Sequence, residues 1–437
     1  MSAALLGRLC TELGLDAGRA VTAAHSAVPL SSRLPVGELA WSSIMIAGGA
    51  LASDAWSSPD PGRVAAAYVS DRHLRVAGTA PEAFAPLSGF WRTRDGWVRT
   101  HGNYSHHAAA LRAGLGLAAG AEVAEVRTTL ARMAAVQAAD GIRAAGGVCV
   151  PVAQEHPSVD AELRRHPLIT LSRIGDSRAR ALPRGDGATP LDGVRVLDLT
   201  RVLAGPVATR TLALAGAAVL RVDPPGRPEI AWQHLDTGHG KRSALLDAGA
   251  DRARLDALVA EADVVVLGYR PSGLARLGLD ARTLTARNPQ LVVAQLSAWP
   301  GADSPRGFDS IVQADCGISW IESADGIHPG ALPAQALDHS AGYLLAAGIA
   351  TALRRRAASG GSWYVRTSLR RIAAELLGLS RSAVTTPAGS NGPDSVRTQD
   401  FDVAGMRVTT VAPAVTWPGG PELFAAPRPW GADAPEW

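Results

Sequence analysis

PLDGVRVLDLTRVLAGPVATRTLALAGAAVLRVDPP, residues 190–225, decides the fold. VRVLDLT (194–200) is an almost wholly apolar run of strand length. Ala204-Gly205-Pro206 then turns the chain into a helical stretch, VATRTLALAG, and AAVLRVD (217–223) is a second apolar strand. Strands without polar alternation are buried on both faces, as in a parallel sheet covered by helices. The unit resembles a nucleotide-binding βαβ, with Asp223 closing its second strand. A nicotinamide dehydrogenase would place G-x-G-x-x-G at the first turn, so that backbone can approach a pyrophosphate. TRVLAGP has one useful glycine, Gly205, which disfavours that reading. Two readings remain: an ordinary turn, or a site for a ligand whose adenosine diphosphate end rests on the carboxyl edge of the sheet.

The alternation continues downstream. ARLDALVAEA predicts a helix, ADVVVLGY (262–269) a third strand and QLVVAQLSA (290–298) a fourth. LDHSAGYLLAAGIATALRRR (337–356) predicts a long helix. Upstream, residues 174–189 are rich in Gly, Pro, Asp and Arg and predict a linker between unlike halves. The first half, 1–173, mixes helix and strand. Residues 36–56 and 105–140 are helical in pattern, while AAAYVSD, HLRVAG and GGVCVPV suggest short strands. FWRTRDGWVRTHG (90–102) predicts a hairpin about Asp95-Gly96. The stretch 376–437, rich in Pro, Gly and Trp, predicts an irregular tail.

Composition bounds the function. Of 437 residues, 47% are hydrophobic and 19% charged, enough for a buried core in more than one domain. Net charge is +3 with no long basic run, which disfavours nucleic acid as a partner. The 3 cysteines, Cys10, Cys149 and Cys316, form neither a disulfide framework nor a zinc pattern. No basic leader and no long apolar run stands in the sequence, so a cytoplasmic protein without a membrane span is expected.

Candidate site residues follow from strand ends. Arg201 lies just past the first strand, Lys241 and Arg242 follow Gly240, and Arg270 lies just beyond the third strand. Cations there are expected to converge on one rim and suit phosphates. Asp338, in LPAQALDHSAGY, is either a helix N-cap or a carboxylate nucleophile. In the second role the helix N-terminus would keep it ionised, and Ser340, Ala341 and Gly342 would leave room for a bulky thioester. HGNYSHH (101–107) lacks helical i,i+4 histidine spacing and a cysteine or carboxylate partner, so no metal is expected. No G-x-S-x-G elbow is present to suggest a serine hydrolase.

The opening stretch, GKRSALLD, YRPSGLARLGL, NPQLVVAQLSAWP, GFDSIVQADCGI and QALDHSAGYLLAAGIATALRRR together resemble the class III coenzyme A transferases, over about 190–375. These are the carnitine dehydratase and bile-acid-inducible type. The resemblance implies an α/β fold: a Rossmann-like parallel-sheet large domain with a smaller α+β domain, in an interlocked homodimer. It implies acyl-CoA and carboxylic acid substrates. It implies that Asp338 attacks the thioester, forms a mixed anhydride and then an aspartyl-CoA thioester, and passes CoA to an acceptor acid. It carries CoA contacts onto Leu203, Ala204, Lys241 and Arg270, with Arg201 added from its strand position. The first half resembles the family's small domain and a later helix, so the family elements stand out of their usual order. The superfamily's acyl-CoA racemases carry a histidine where this chain has Phe308, before Asp309, which disfavours racemase or isomerase activity. A non-catalytic CoA-binding relative is the remaining alternative.

Overall fold

The computed structural model describes residues 2–18, 27–53, 56–183, 185, 187–381 and 396–437. The apolar runs of the second half become adjacent strands of one sheet. β6 (Arg195–Leu199), β7 (Ala218–Asp223), β8 (Lys241–Leu245), β9 (Val264–Leu267), β10 (Val292–Ser297) and β11 (Ser362–Ser368) lie parallel. β5 (Thr170–Gly175) closes one edge antiparallel to β11, giving the order β5-β11-β10-β9-β6-β7-β8. Val264, Val265, Val266 and Leu267 are all fully buried, as strands covered on both faces require. Successive strands from β6 build outward to β8, and the chain then crosses back to place β9 on the other side of β6. The carboxyl ends of β6 and β9 thus part at a switch point, where open α/β sheets form a crevice.

A second sheet, β2 (Gly89–Arg92), β3 (Trp97–Thr100) and β4 (Cys149–Pro151), comes from the first half. The predicted hairpin is present, with Trp91 opposite Val98. Helices Ser105–Gly114, Val123–Arg132 and Ala135–Ala144 pack on it through Leu111, Val126, Leu130 and Ile142. Val148 and Val150 pack on Ile311 and Ala314 of the short helix Asp309–Asp315, so this layer reaches the second half of the chain. The helix Val36–Leu51 lies along the 24-residue helix Ala336–Ser359, burying nearly its whole surface.

HLRVAG does hold a short strand, β1 (Arg75–Val76). Three expectations need correction. AAAYVSD is not a strand: Pro61–Tyr68 is a helix, because Asp60 accepts the Arg63 N–H at 2.8 Å and Pro61 begins the first turn. The expected linker begins too early, since 174 and 175 complete β5. The expected irregular tail holds the end of helix Leu369–Gly378 and a hairpin, β12 (Thr398–Val403) with β13 (Met406–Val411). Its turn places Ala404 and Gly405 at φ +54° and +80°, the left-handed region hairpin turns demand. The last residues then cover the edge of β8: the Asp433 N–H donates to the Ser243 carbonyl at 2.8 Å, and the Trp430 indole donates to Asp223 at 3.0 Å. No helix among the described residues is long and apolar enough to cross a membrane.

Candidate active site

A cavity of about 580 Å³ opens at the switch point. Leu199 ends β6 and Arg201 and Val202 follow it, while Gly268, Tyr269 and Arg270 follow β9, so both carboxyl ends feed its wall. Asp338, Ala204 and Phe308 share the lining, as do Tyr104, His106 and His107 from the first half. Both halves of the chain therefore build one cavity, within the usual size of small-molecule sites.

The first turn is strained where it meets the cavity. Val202 has φ +68°, a costly conformation for a β-branched residue. Its N–H donates to Glu229 at 3.1 Å, which holds it there. Gly205 is required for packing: a Cβ would come within 2.3 Å of the Thr200 side chain.

The expected cations divide. Arg201 is on the wall but already committed: it pairs with Glu229 at 3.3 Å, donates to the Pro228 carbonyl at 2.7 Å and lies 4.7 Å from the Tyr104 ring centroid. Burial opposes the charge on Glu229, yet Arg221 and Arg201 hold its carboxyl down at about 2. Arg270 also lines the cavity, and among the described residues it has no acidic partner. Arg227 and Arg276 on the same wall are alike in this. Arg306 donates to the Gly146 carbonyl at 2.9 Å, and burial, then the fields of Arg270 and Arg227, lower its pKa. Guanidiniums grouped around one cavity suit an anion by their charge.

Lys241 does not join them. GKRSALLD is strand β8 itself, so Lys241 stands at its amino end, opposite Val219, instead of at a carboxyl end. It is 3% exposed, and its ammonium donates to Asp198 at 3.1 Å and to the Pro206 carbonyl at 2.8 Å. Burial pulls its pKa down to about 8, with Asp198 opposing. Arg242 is bound to the chain end, donating to the Glu436 carbonyl at 2.7 Å. Leu203 is the residue before helix Ala204–Leu214 and is buried off the cavity wall.

Asp338 is the third residue of its helix, after Ala336 and Leu337, and the N-cap is Gln335. It is 6% exposed and reaches the cavity. The expectation that the helix N-terminus keeps it ionised is corrected: burial, then the neighbouring Asp309 carboxylate, push its pKa well above the ordinary range. The small residues after it serve packing, not ligand access. Ser340 hydrogen-bonds the Tyr68 hydroxyl at 2.8 Å, and a Cβ on Gly342 would meet the Ala204 carbonyl at 2.6 Å.

HGNYSHH forms an aromatic wall. His101 stacks on Phe308 with centroids 3.5 Å apart, and His107 meets the same ring edge-on at 5.7 Å. Burial, then His106, lowers the His107 pKa to about 3, so the imidazole is neutral at physiological pH. Among the described residues no group of three or more His, Cys, Asp or Glu is placed to hold a metal ion. Sequence reasoning missed Tyr104, Glu229, Arg227, Arg276 and Arg306. The glycine and prolines around Arg227 and Arg306 were the available signal, since such turns set arginines at strand ends.

A probable fatty acyl-CoA transferase of Mycobacterium tuberculosis, Rv3272, is 32% identical over 241 residues, 49% of this chain and 61% of that protein. A formyl-CoA:oxalate CoA-transferase of Afipia carboxidovorans is 34% identical over 199 residues, 42% of this chain and 47% of that one. The crystal structure of Rv3272 aligns with a TM-score of 0.41 at 34% identity, covering 43% of this chain and 56% of that one. The chain thus spans about half to three-fifths of the length of these relatives. The model of CoA-transferase family III matches residues 191–413, just over half of the chain, and the protein belongs to that family.

Proposed function

We propose that this protein transfers coenzyme A from an acyl-CoA to a carboxylic acid through a covalent intermediate on Asp338. One observation carries the reading: a buried carboxylate and several arginines without acidic partners line the same cavity at the switch point of the sheet. The strand order, taken from β6 as first, is the 3-2-1-4-5-6 order of dinucleotide-binding folds, which supports a Rossmann-like large domain. Relatives named formyl-CoA:oxalate and acetyl-CoA:oxalate CoA-transferases support the reaction class. Arg270, Arg227, Arg276 and Arg306 are proposed to hold the phosphates. Ala204 and Arg201 shape the turn beside them, while Lys241 and Leu203 act from beneath it. Binding of the remote nucleotide would help orient the thioester for attack. The acid partners, the cytoplasmic location and the homodimer belong to the same proposal.

Acyl-CoA with hydroxylamine is expected to leave a hydroxamate on Asp338, located by peptide mass spectrometry. An unlabelled Asp338 in a protein that still transfers CoA overturns the mechanism. Screening CoA thioesters against a panel of acids identifies the substrates.

A second reading has one observation in its favour. His106 and His107 bring two imidazoles into the Asp338 cavity, where the sequence at Phe308 lacked a histidine. Acyl-CoA racemase or isomerase activity is then expected to show deuterium exchange at the acyl α-carbon, lost in His107→Ala.

A further inference from the structure

The helix Ala336–Ser359 starts without a cap of its own, since Gln335 makes no side-chain capping bond. The anion at its N-terminus arrives from another element. Asp309 Oδ2 accepts the Asp338 backbone N–H at 2.9 Å, and the Leu337 N–H also points to this carboxylate. The Gln313 amide donates to Asp309 Oδ1, and the Gln313 Oε1 accepts the Leu332 N–H at 2.9 Å, fixing the segment that leads into the helix. Asp309 is fully buried and off the cavity wall, whereas Asp338 lies on that wall. Among the described residues no hydrogen-bond donor reaches the Asp338 carboxylate.

We propose that Asp309 is a positioning residue for Asp338: it takes the anion's place at the helix N-terminus and leaves Asp338 facing the cavity as a donor-free carboxylate with a buried anion behind it, a stronger nucleophile. The proposal rests on the reading of Asp338 as the attacking group. In that step an Asp338 oxygen bonds to the acyl carbon, the carbon–sulfur bond breaks and CoA leaves as its thiolate, with no proton consumed. An ordinary carboxylate, with a pKa of about 4, is a poor match for a leaving thiolate of about 8.5. A neighbouring anion narrows that gap by destabilising the charge on Asp338, which raises its basicity.

Among the described residues no ion pair compensates these two carboxylates. β3 contributes Arg99, whose field favours Asp309 without a salt bridge to it. β4 contributes Cys149, held as a thiol by burial. The helix Leu369–Gly378 contributes Arg370, already paired with Asp160 at 2.7 Å. The helices packed along Ala336–Ser359 contribute Glu38 and Arg210, and Arg210 donates to the Asp236 carbonyl at 2.7 Å. His339, next to Asp338, is kept neutral by burial. Asp309, with three donors, is the better stabilised anion of the two.

The test is an infrared titration of the full-length protein, following the carboxylic-acid carbonyl band and assigning it by its loss in Asp338→Asn. Wild type is expected to titrate above the ordinary carboxylate range. Asp309→Asn, which keeps an oxygen for the helix N–H groups, is expected to lower that midpoint by about one pH unit or more, tenfold in proton affinity. The acidic limb of adduct formation from acetyl-CoA is expected to shift with it, and the rate above that limb to fall. Asp309→Ser is the second neutral variant should Asn impair folding. A wild-type band in the ordinary range, or a midpoint unmoved in either variant, overturns the proposal. If the band behaves as expected but no adduct forms in wild type, the transferase reading fails and the role of Asp309 toward Asp338 stands.

Discussion

Asp198 and Asp338 are both buried aspartates of one α/β unit, and they have opposite fates. Asp198, at 0% exposure, has Lys241 at 3.1 Å and the hydroxyls of Thr200 and Thr209 on its oxygens. Burial works against its charge, but Lys241 and Arg221 hold its pKa below the ordinary range. Asp338, nearly as buried, has another carboxylate as its neighbour, and its pKa rises. Burial alone does not mark a reactive group. A buried carboxylate with a cation and donors is a satisfied structural ion; one with an anion behind it and a cavity before it lacks that compensation.

That contrast is open to direct attack. Asp338→Ala is expected to reduce CoA transfer by at least about a thousandfold, roughly 4 kcal/mol, in steady-state assays, while CoA binding by calorimetry changes little. Lys241→Met is expected to cost about 3–5 kcal/mol in denaturant unfolding, because it strands Asp198 as an unpaired buried charge. If that variant instead raises KM for acyl-CoA at unchanged stability, Lys241 belongs to the ligand and the comparison breaks. Arg270→Ala is expected to weaken CoA binding about tenfold, with a shallower salt dependence and kcat nearly unchanged.

The smallest effect sharpens the contrast most. A carboxyl whose pKa is raised by folding binds its proton more tightly in the folded chain. Stability therefore falls as pH rises from about 4, the unfolded value, through the raised folded value. Asp338→Asn removes that loss and is expected to raise the melting temperature by a few degrees at pH 8, on the order of 1 kcal/mol, and by less at pH 4. Asp198→Asn is expected to do the reverse, since its ionised form is the stabilised one.

Local signals explain which elements were legible. β6, β7, β9 and β10 are unbroken apolar runs, and the hairpin at 89–100 has an Asp-Gly turn between its arms. Pro61–Tyr68 was misread because alanine and tyrosine suit either state, and the deciding Asp60 cap is a single side chain. β8 went unseen because Lys241 and Arg242 open it, and charges at a strand start look like a loop. The β12–β13 hairpin was hidden in a stretch whose prolines and tryptophans belong to the covering segment after it.

The sequence by itself determined the parallel sheet, the family resemblance and Asp338 as the residue to watch, because each lies in consecutive residues whose pattern carries its own physics. Only the tertiary structure decided what surrounds Asp338. Asp309 stands 29 positions away and the first-half histidines more than two hundred, yet the fold sets the one behind the helix start and the others across the cavity. Charge acts through space, so a carboxylate's pKa follows from what folding brings beside it and not from its neighbours along the chain.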